Sequence, residues 1–296
     1  MRPELMRLAS LDLARIGPLR ARAETRPLLI SLAGPPEAVG RTEDTVVEQD
    51  GLCVPIRTYW PKTPGPHPLL LFFHGGGFVF GDLDTHDATV RALTNRAGVV
   101  SISVDYRLAP EHPFPAAIED CVAVLRWAAT HSSLINADPA RIALVGDSAG
   151  GNLAAVAARV GRDEGLTICF QLLFYPLIDG ESARSIYSGD AASRRLIEWS
   201  LRCYGAPRGD PLADPLSVSD LNDLPPGLVI VASHDVLAEE GVAYVTALRS
   251  AGIEVSLERY TDVPHFFVGM PIVFNQARTA LDRAGAALRA AFRTYD

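Results

Sequence analysis

Gly146-Asp147-Ser148-Ala149-Gly150 follows directly on the apolar run Ile142-Ala143-Leu144-Val145 and opens directly into an alanine-rich stretch at 149–162. A short continuous apolar run closed by glycine reads as a strand buried on both faces, as in a parallel sheet. The alanine-rich stretch reads as a helix. A G-x-S-x-G string between strand and helix is the pattern of a serine on a sharp strained turn, with its hydroxyl projecting from the sheet edge. Small residues two places either side are needed because side chains there would collide with the turn, and Gly146, Gly150 and Gly151 meet that need. The string alone could be a helix N-cap. Its position between strand and helix points to a nucleophile, and the N-terminus of that helix favours negative charge beside Ser148.

Outward from this element the same alternation continues. Apolar runs at 69–73, 99–104, 169–175, 228–232 and 255–260 predict further strands. Helical spacing covers 116–129, 239–251 and 276–292. Two β-rich runs between 45 and 60 flank Asp50-Gly51, a pair suited to a tight hairpin. Repeated βα units with a hairpin in front predict an α/β fold with a mixed, mostly parallel sheet flanked by helices. The first 40 residues carry helical spacing at Leu5, Leu8, Leu11, Leu13 and Ile16 and break at Gly34-Pro35-Pro36. The segment 179–223, rich in polar turns and prolines, resists the alternation and reads as an insertion at one end of the sheet.

The bulk properties agree with one domain. The 296 residues are 48% hydrophobic and 21% charged, without a linker or internal repeat. A net charge of −8 argues against nucleic acid or an anionic membrane as partner and leaves a small molecule. Charged residues interrupt the apolar positions of the first 22 residues, which therefore read as amphipathic structure rather than a secretory signal. No run approaches the ~18 apolar residues of a membrane span. Cys53, Cys121, Cys169 and Cys203 are scattered and form no CxxC pair, so buried free thiols and a cytoplasmic location are expected. No histidine spacing suggests a metal site, and the expected chemistry requires no cofactor.

His74-Gly75-Gly76-Gly77 follows the strand at 69–73, where its loop would reach the same sheet edge as Ser148. With no side chains in the way, the N–H groups of Gly75 and Gly76, together with that of Ala149, are expected to form an oxyanion hole. A nucleophilic serine needs a base, and downstream of Ser148 only His234 and His265 qualify. In this fold the order is serine, acid, histidine. His265 follows the strand at 255–260 through a loop at 261–264, and Asp235 follows the strand at 228–232. Asp235 is thus expected to orient His265, and His234 to be a structural or solvent-facing neighbour. Glu239 and Glu240 compete as the acid, but acidic residues at the start of a helix are favoured by its dipole alone.

On these residues the chain resembles the hormone-sensitive-lipase group of α/β-hydrolases, the bacterial family IV carboxylesterases. The resemblance rests on HGGGFVFGDLDTHD at 74–87, SVDYRLAPEHPFPAAIED at 103–120, GDSAGGNLA at 146–154, HDVLAEEG at 234–241 and DVPHFF at 262–267. It implies Ser148, Asp235 and His265 as triad and Gly75, Gly76 and Ala149 as oxyanion donors. It also implies a small cap built from residues 1–40 and 179–223, and short-chain acyl esters as substrates. Two positions depart from the group: Val236 stands where proline is frequent after the acid, and Phe266 where glycine commonly follows the histidine. Phe266 and Phe78 are expected to line the substrate pocket. Relatives often pair through an edge strand, so a homodimer through 255–260 is a further expectation. The alternatives are a non-catalytic ligand-binding protein on this fold, as in plant hormone receptors, and an amidase, lactonase or deacetylase using the same machinery.

Overall fold

A computed structural model describes residues 2–179 and 191–294. Its strands are β1 (Arg41–Gln49), β2 (Leu52–Trp60), β3 (His67–Phe73), β4 (Val100–Val104), β5 (Ala137–Asp147), β6 (Phe170–Phe174), β7 (Gly227–His234) and β8 (Val255–Pro264). They form one sheet in the order β1-β2-β4-β3-β5-β6-β7-β8. β1 and β2 make an antiparallel hairpin around Asp50 and Gly51, both at positive φ, and β2 is antiparallel to β4. From β4 to β8 every pairing is parallel. The mixed sheet expected from the sequence is the one observed.

The helices are α1 (Pro3–Ser10), α2 (Leu13–Ile16), α3 (Pro18–Ala33), α4 (Asp87–Ala97), α5 (Ala116–His131), α6 (Ala149–Asp163), α7 (Ala191–Tyr204), α8 (Ala238–Ser250) and α9 (Asn275–Arg293). The crossovers sort them onto two faces. Val124, Leu153 and Leu248, from α5, α6 and α8, share one apolar cluster against the sheet, while Leu93 and Leu281, from α4 and α9, belong to the other. β3 feeds α4 on one face and its neighbour β5 feeds α6 on the opposite face. Their outgoing loops diverge at the carboxyl ends of the strands, which opens a crevice there. Within the pair Phe73 stands opposite Gly146, so the glycine loop and Ser148 leave the sheet side by side.

α4 was not anticipated from the sequence. Two of its inward positions are Thr89 and Thr94, and Thr94 Oγ1 satisfies itself on Val90 O and Ser101 Oγ instead of extending an apolar stripe. Two boundaries also move. β5 begins at Ala137 rather than 142, and β8 runs through Pro264, so 261–264 is strand and His265 leaves β8 without a loop between. Within the expected insertion, α7 and the turns to 223 are described, while 180–190 lies outside the described residues. α3 and α7 rest on the loops that leave β3 and β4. Arg22 bonds Val79 O and Ala109 O, and Tyr204 O accepts from Phe114 N. Among the described residues no helix is long and apolar enough to cross a membrane. The four cysteines are free; Cys121 and Cys169 are buried, but Cys53 is exposed and Cys203 half-buried, because Cys53 sits on the outer face of the hairpin.

Candidate active site

Ser148 occupies the turn between β5 and α6 at φ 54°, a backbone region that non-glycine residues seldom adopt. The turn is held from all sides: Ser148 N donates to Phe174 O at 2.9 Å, and Ser148 O accepts from Leu177 N at 3.0 Å and Asn152 N at 3.2 Å. A Cβ at Gly146 would stand 2.1 Å from Gly150 O, and one at Gly150 1.9 Å from Phe73 O. The glycines flanking the serine are therefore required by backbone-to-backbone approach.

Register brings the other two residues together. β7 pairs with β8 so that His234 faces Pro264, which makes the next residue on each strand Asp235 and His265. His265 Nδ1 lies 2.7 Å from Asp235 Oδ2, and His265 Nε2 lies 2.8 Å from Ser148 Oγ. Asp235 is buried, and its Oδ1 accepts from Leu237 N at 2.9 Å. Burial of the imidazole opposes its charged form. The Asp235 charge and hydrogen bond, with Asp147 and Glu240 beyond, outweigh that and hold His265 above the usual histidine value. The edge of the Tyr175 ring faces His265 at 4.8 Å between centroids. Such an arrangement can act as an acid–base–nucleophile relay: a carboxylate on Nδ1 favours the tautomer whose Nε2 can take a hydroxyl proton. His234 is exposed and outside it.

The glycine loop requires a correction. Gly75 N–H, expected to be an oxyanion donor, donates to Asp147 Oδ1 at 2.8 Å and is turned back into the protein. Gly76 (φ 121°) and Gly77 (φ 60°) turn the chain, and Gly76 O accepts from Val79 N and Phe80 N. Their own N–H groups have no acceptor among the described residues, and neither has that of Ala149 at the start of α6. The amides of Gly76, Gly77 and Ala149 are thus, among the described residues, the ones on these two segments left without an internal acceptor. Sequence alone could not tell which of three successive glycines has its N–H taken by a side chain.

The expected pocket residues separate as well. Phe78, buried and at φ 63°, stacks on Tyr204 at 3.8 Å between centroids. Both line a cavity of about 440 Å³ with Leu177 and Leu201, and Asp179, Glu198 and Arg202 also line it. Phe266 is absent from this lining. It leaves His265 in the left-handed region (φ 64°), sets its ring edgewise on His86 at 5.6 Å, and covers the space a Cβ would need at Gly269.

Three further side chains around the site carry roles that the sequence did not assign to them. Asp147 holds Gly75, as above. His86 is buried with Nε2 3.3 Å from Asp147 Oδ1, within the 74–87 run that carried the resemblance. Glu240, set aside as a helix-start acid, is buried, and its Oε2 accepts from Ile178 N at 2.7 Å and Asp179 N at 3.2 Å, anchoring the turn after β6.

With the geometry in hand, the relatives are informative. Residues 70–269 match a family model described by the alpha/beta hydrolase fold. The chain is 38% identical over 281 residues to the carboxylesterase NlhH of Mycobacterium tuberculosis strain H37Rv, covering 90% of this chain and 88% of the relative. It is 43% identical over 257 residues to the esterase LipI of the same organism, covering 81% and 79%. Among solved structures it superposes on a hyperthermophilic esterase from the archaeon Pyrobaculum calidifontis with a TM-score of 0.89 and 33% identity, covering 99% of this chain and 96% of the other. An alpha/beta hydrolase enzyme from the metagenome of Lake Arreo, Spain, gives a TM-score of 0.91 at 33% identity, covering 99% of both chains. Strand order, nucleophile turn and sequence similarity agree, and the chain belongs to the α/β-hydrolase family, in its hormone-sensitive-lipase group.

Proposed function

We propose that this protein is a carboxylic ester hydrolase that cleaves short to medium acyl esters through an acyl-enzyme on Ser148. The observation that carries the reading is the continuous hydrogen-bonded relay from Asp235 through His265 to Ser148. The names of the similar proteins, carboxylesterase and esterase, support it.

In the first step Ser148 Oγ attacks the ester carbonyl carbon while its proton passes to His265 Nε2, and the carbonyl electron pair moves onto oxygen. The N–H groups of Gly76, Gly77 and Ala149 receive that oxyanion; each such donor is worth about 3 kcal/mol of transition-state stabilisation. His265 then hands its proton to the departing alcohol. In the second step His265 takes a proton from water, which attacks the acyl carbon, and the carboxylic acid leaves with the serine restored. Asp235 stays ionised throughout and stabilises the imidazolium.

Phe78, directly after the Gly76-Gly77 turn, lines with Tyr204, Leu177 and Leu201 the cavity of about 440 Å³ that also presents Asp179, Glu198 and Arg202, and that size supports a modest acyl length. Helices α1–α3 and α7, together with the turns up to residue 223, form the cap, and the rest of the chain is the hydrolase body. β8 is an edge strand, and we assign it as the seam of a homodimer. Four free thiols support a cytoplasmic setting.

Hydrolysis of p-nitrophenyl esters from acetate to palmitate, by wild type and by Ser148→Ala and His265→Ala, tests the assignment. Activity greatest on short chains and lost in both variants is the expected result; a folded wild type inert on every ester overturns it. Light scattering after size exclusion reads the oligomeric state.

A further inference from the structure

The oxyanion loop contains three successive residues at positive φ: Gly76 at 121°, Gly77 at 60° and Phe78 at 63°. For phenylalanine this is a conformation the chain adopts only where its surroundings impose it. The bonds that impose it can be traced. Gly76 O accepts two amides from within the turn, and Phe78 O accepts from Ala109 N at 2.8 Å. The next carbonyl, Val79 O, is held from another part of the fold: Arg22 Nε, on α3, donates to it at 2.7 Å.

Arg22 makes more of this contact than one bond. Its Nη2 donates to Ala109 O at 2.9 Å, and its two terminal nitrogens form a forked pair with Glu111 at 2.9 and 2.6 Å. One planar guanidinium thus joins the N-terminal helix, the carbonyl after Phe78, and the 109–111 segment that itself bonds Phe78 O. A forked guanidinium with four of its five N–H donors directed at acceptors constrains orientation as well as distance. One helical turn on, Arg26 grips the continuation of the same loop, bonding Asp82 at 2.6 Å and Asp84.

On the reading of Ser148, Gly76 and Gly77 given above, we propose that Arg22 is a positioning residue for ester hydrolysis: through Val79 O and the 109–111 segment it fixes the left-handed turn that aims the Gly76 and Gly77 amides at the oxyanion. The N-terminal helix then contributes to the rate of the chemical step. Loss of Arg22 lets the turn relax toward ordinary φ values, and the two amides lose their aim while Ser148, His265 and Asp235 keep their places.

The test compares Arg22→Met and Arg22→Lys with wild type and with Arg20→Met, which removes an exposed arginine of the same helix. Steady-state hydrolysis of a short p-nitrophenyl ester is read beside inhibition by an alkyl trifluoromethyl ketone. That ketone reports the hole directly: Ser148 Oγ adds to its carbonyl carbon, the hydroxyl proton passes to His265, and the former carbonyl oxygen becomes the anion in the hole. For Arg22→Met the expected result is a kcat lower by about tenfold with KM within twofold, and an inhibition constant raised by a similar factor. Arg22→Lys, which retains the charge but reaches fewer acceptors, falls between that variant and wild type, and Arg20→Met matches wild type. Should Arg22→Met fail to fold, the Arg22→Lys values still decide, since a folded lysine variant with unchanged kcat and ketone affinity overturns the proposal. A rise in KM with kcat preserved also overturns it, placing Arg22 with substrate binding rather than with the chemical step. A wild type inert toward both ester and ketone removes the hydrolase reading and this inference together, whereas an active wild type with indifferent Arg22 variants removes the inference alone.

Discussion

Asp147 Oδ1 accepts the Gly75 amide proton at 2.8 Å and stands 3.3 Å from His86 Nε2. The residue before the nucleophile thereby fastens the first glycine of the loop that faces it, with the buried imidazole of His86 packed beside the same oxygen. Asp147→Ala leaves a buried N–H without its acceptor, which costs about 1–3 kcal/mol. The expected outcome is a lower melting temperature together with a loss of kcat, and a smaller loss of both in Asp147→Asn, which keeps an oxygen in place. Thermal melting and ester turnover measure the two effects. An alanine variant indistinguishable from wild type would show that the bond is incidental.

The relay predicts a graded series. Removing Ser148 or His265 is expected to lower kcat by about 10⁴-fold or more, and combining the two substitutions to add little, because the residues act as one unit. Asp235→Asn retains the geometry but presents the wrong hydrogen-bonding partner to Nδ1, and is expected to lose activity on a similar scale. Fully additive losses in the double variant would mean that the two residues serve separate steps.

The pH dependence follows from the position of His265. Only the neutral imidazole can take the serine proton, so kcat/KM rises with pH through the histidine's titration. Asp235 holds that titration above the ordinary value of 6.5, so the acid limb should be centred above that value. Removing the carboxylate in Asp235→Asn takes away the charge that raises it while the burial remains, and the limb should move to lower pH as activity falls. A limb that stays in place in that variant would point to a different titrating group.

Glu240 gives a stability prediction. Its buried carboxylate accepts the amides of Ile178 and Asp179 at the exit of β6, beside the nucleophile turn. Glu240→Ala is expected to lose about 2 kcal/mol, a fall of about 4 °C in melting temperature. Glu240→Gln, which retains an acceptor, should lose less. Differential scanning calorimetry separates the cases, and equal melting temperatures would refute the role.

How far the sequence could be read depended on the scale of the interaction. β3 to β7 announced themselves because strands buried on both faces are continuous apolar runs, and the nucleophile turn because backbone approach at Gly146 and Gly150 admits only glycine. The pairing of Asp235 with His265 was legible from chain order together with their places after the strands at 228–232 and 255–260. α4 was hidden because buried Thr89 and Thr94 occupy positions where an apolar stripe would be sought. Glu240 was misread because an acid at a helix start has a sufficient local explanation, and only the fold shows Ile178 and Asp179 arriving 62 and 61 positions away in sequence. Gly75 and Gly76 are identical in composition, so which amide turns inward depended on Asp147, a partner 72 positions on. Arg22 lies 57 positions from Val79 in an otherwise ordinary amphipathic stretch. Local sterics and periodicity are written in neighbouring residues, whereas long-range polar partnerships are not.

The backbone at Ser148 has one further consequence. A side chain held at φ 54° resists its own conformation, and the fold keeps it there because the hydroxyl must project from the turn. Selection for chemistry and selection for ruggedness therefore pull in opposite directions at this position. Ser148→Gly, which relieves the constraint and gives up only the Oγ contact to His265, should be inert yet melt above wild type by an amount corresponding to about 1 kcal/mol, while Ser148→Ala, still bearing a Cβ, should gain nothing. The nucleophile is then the place where this protein is less durable than the same chain could be.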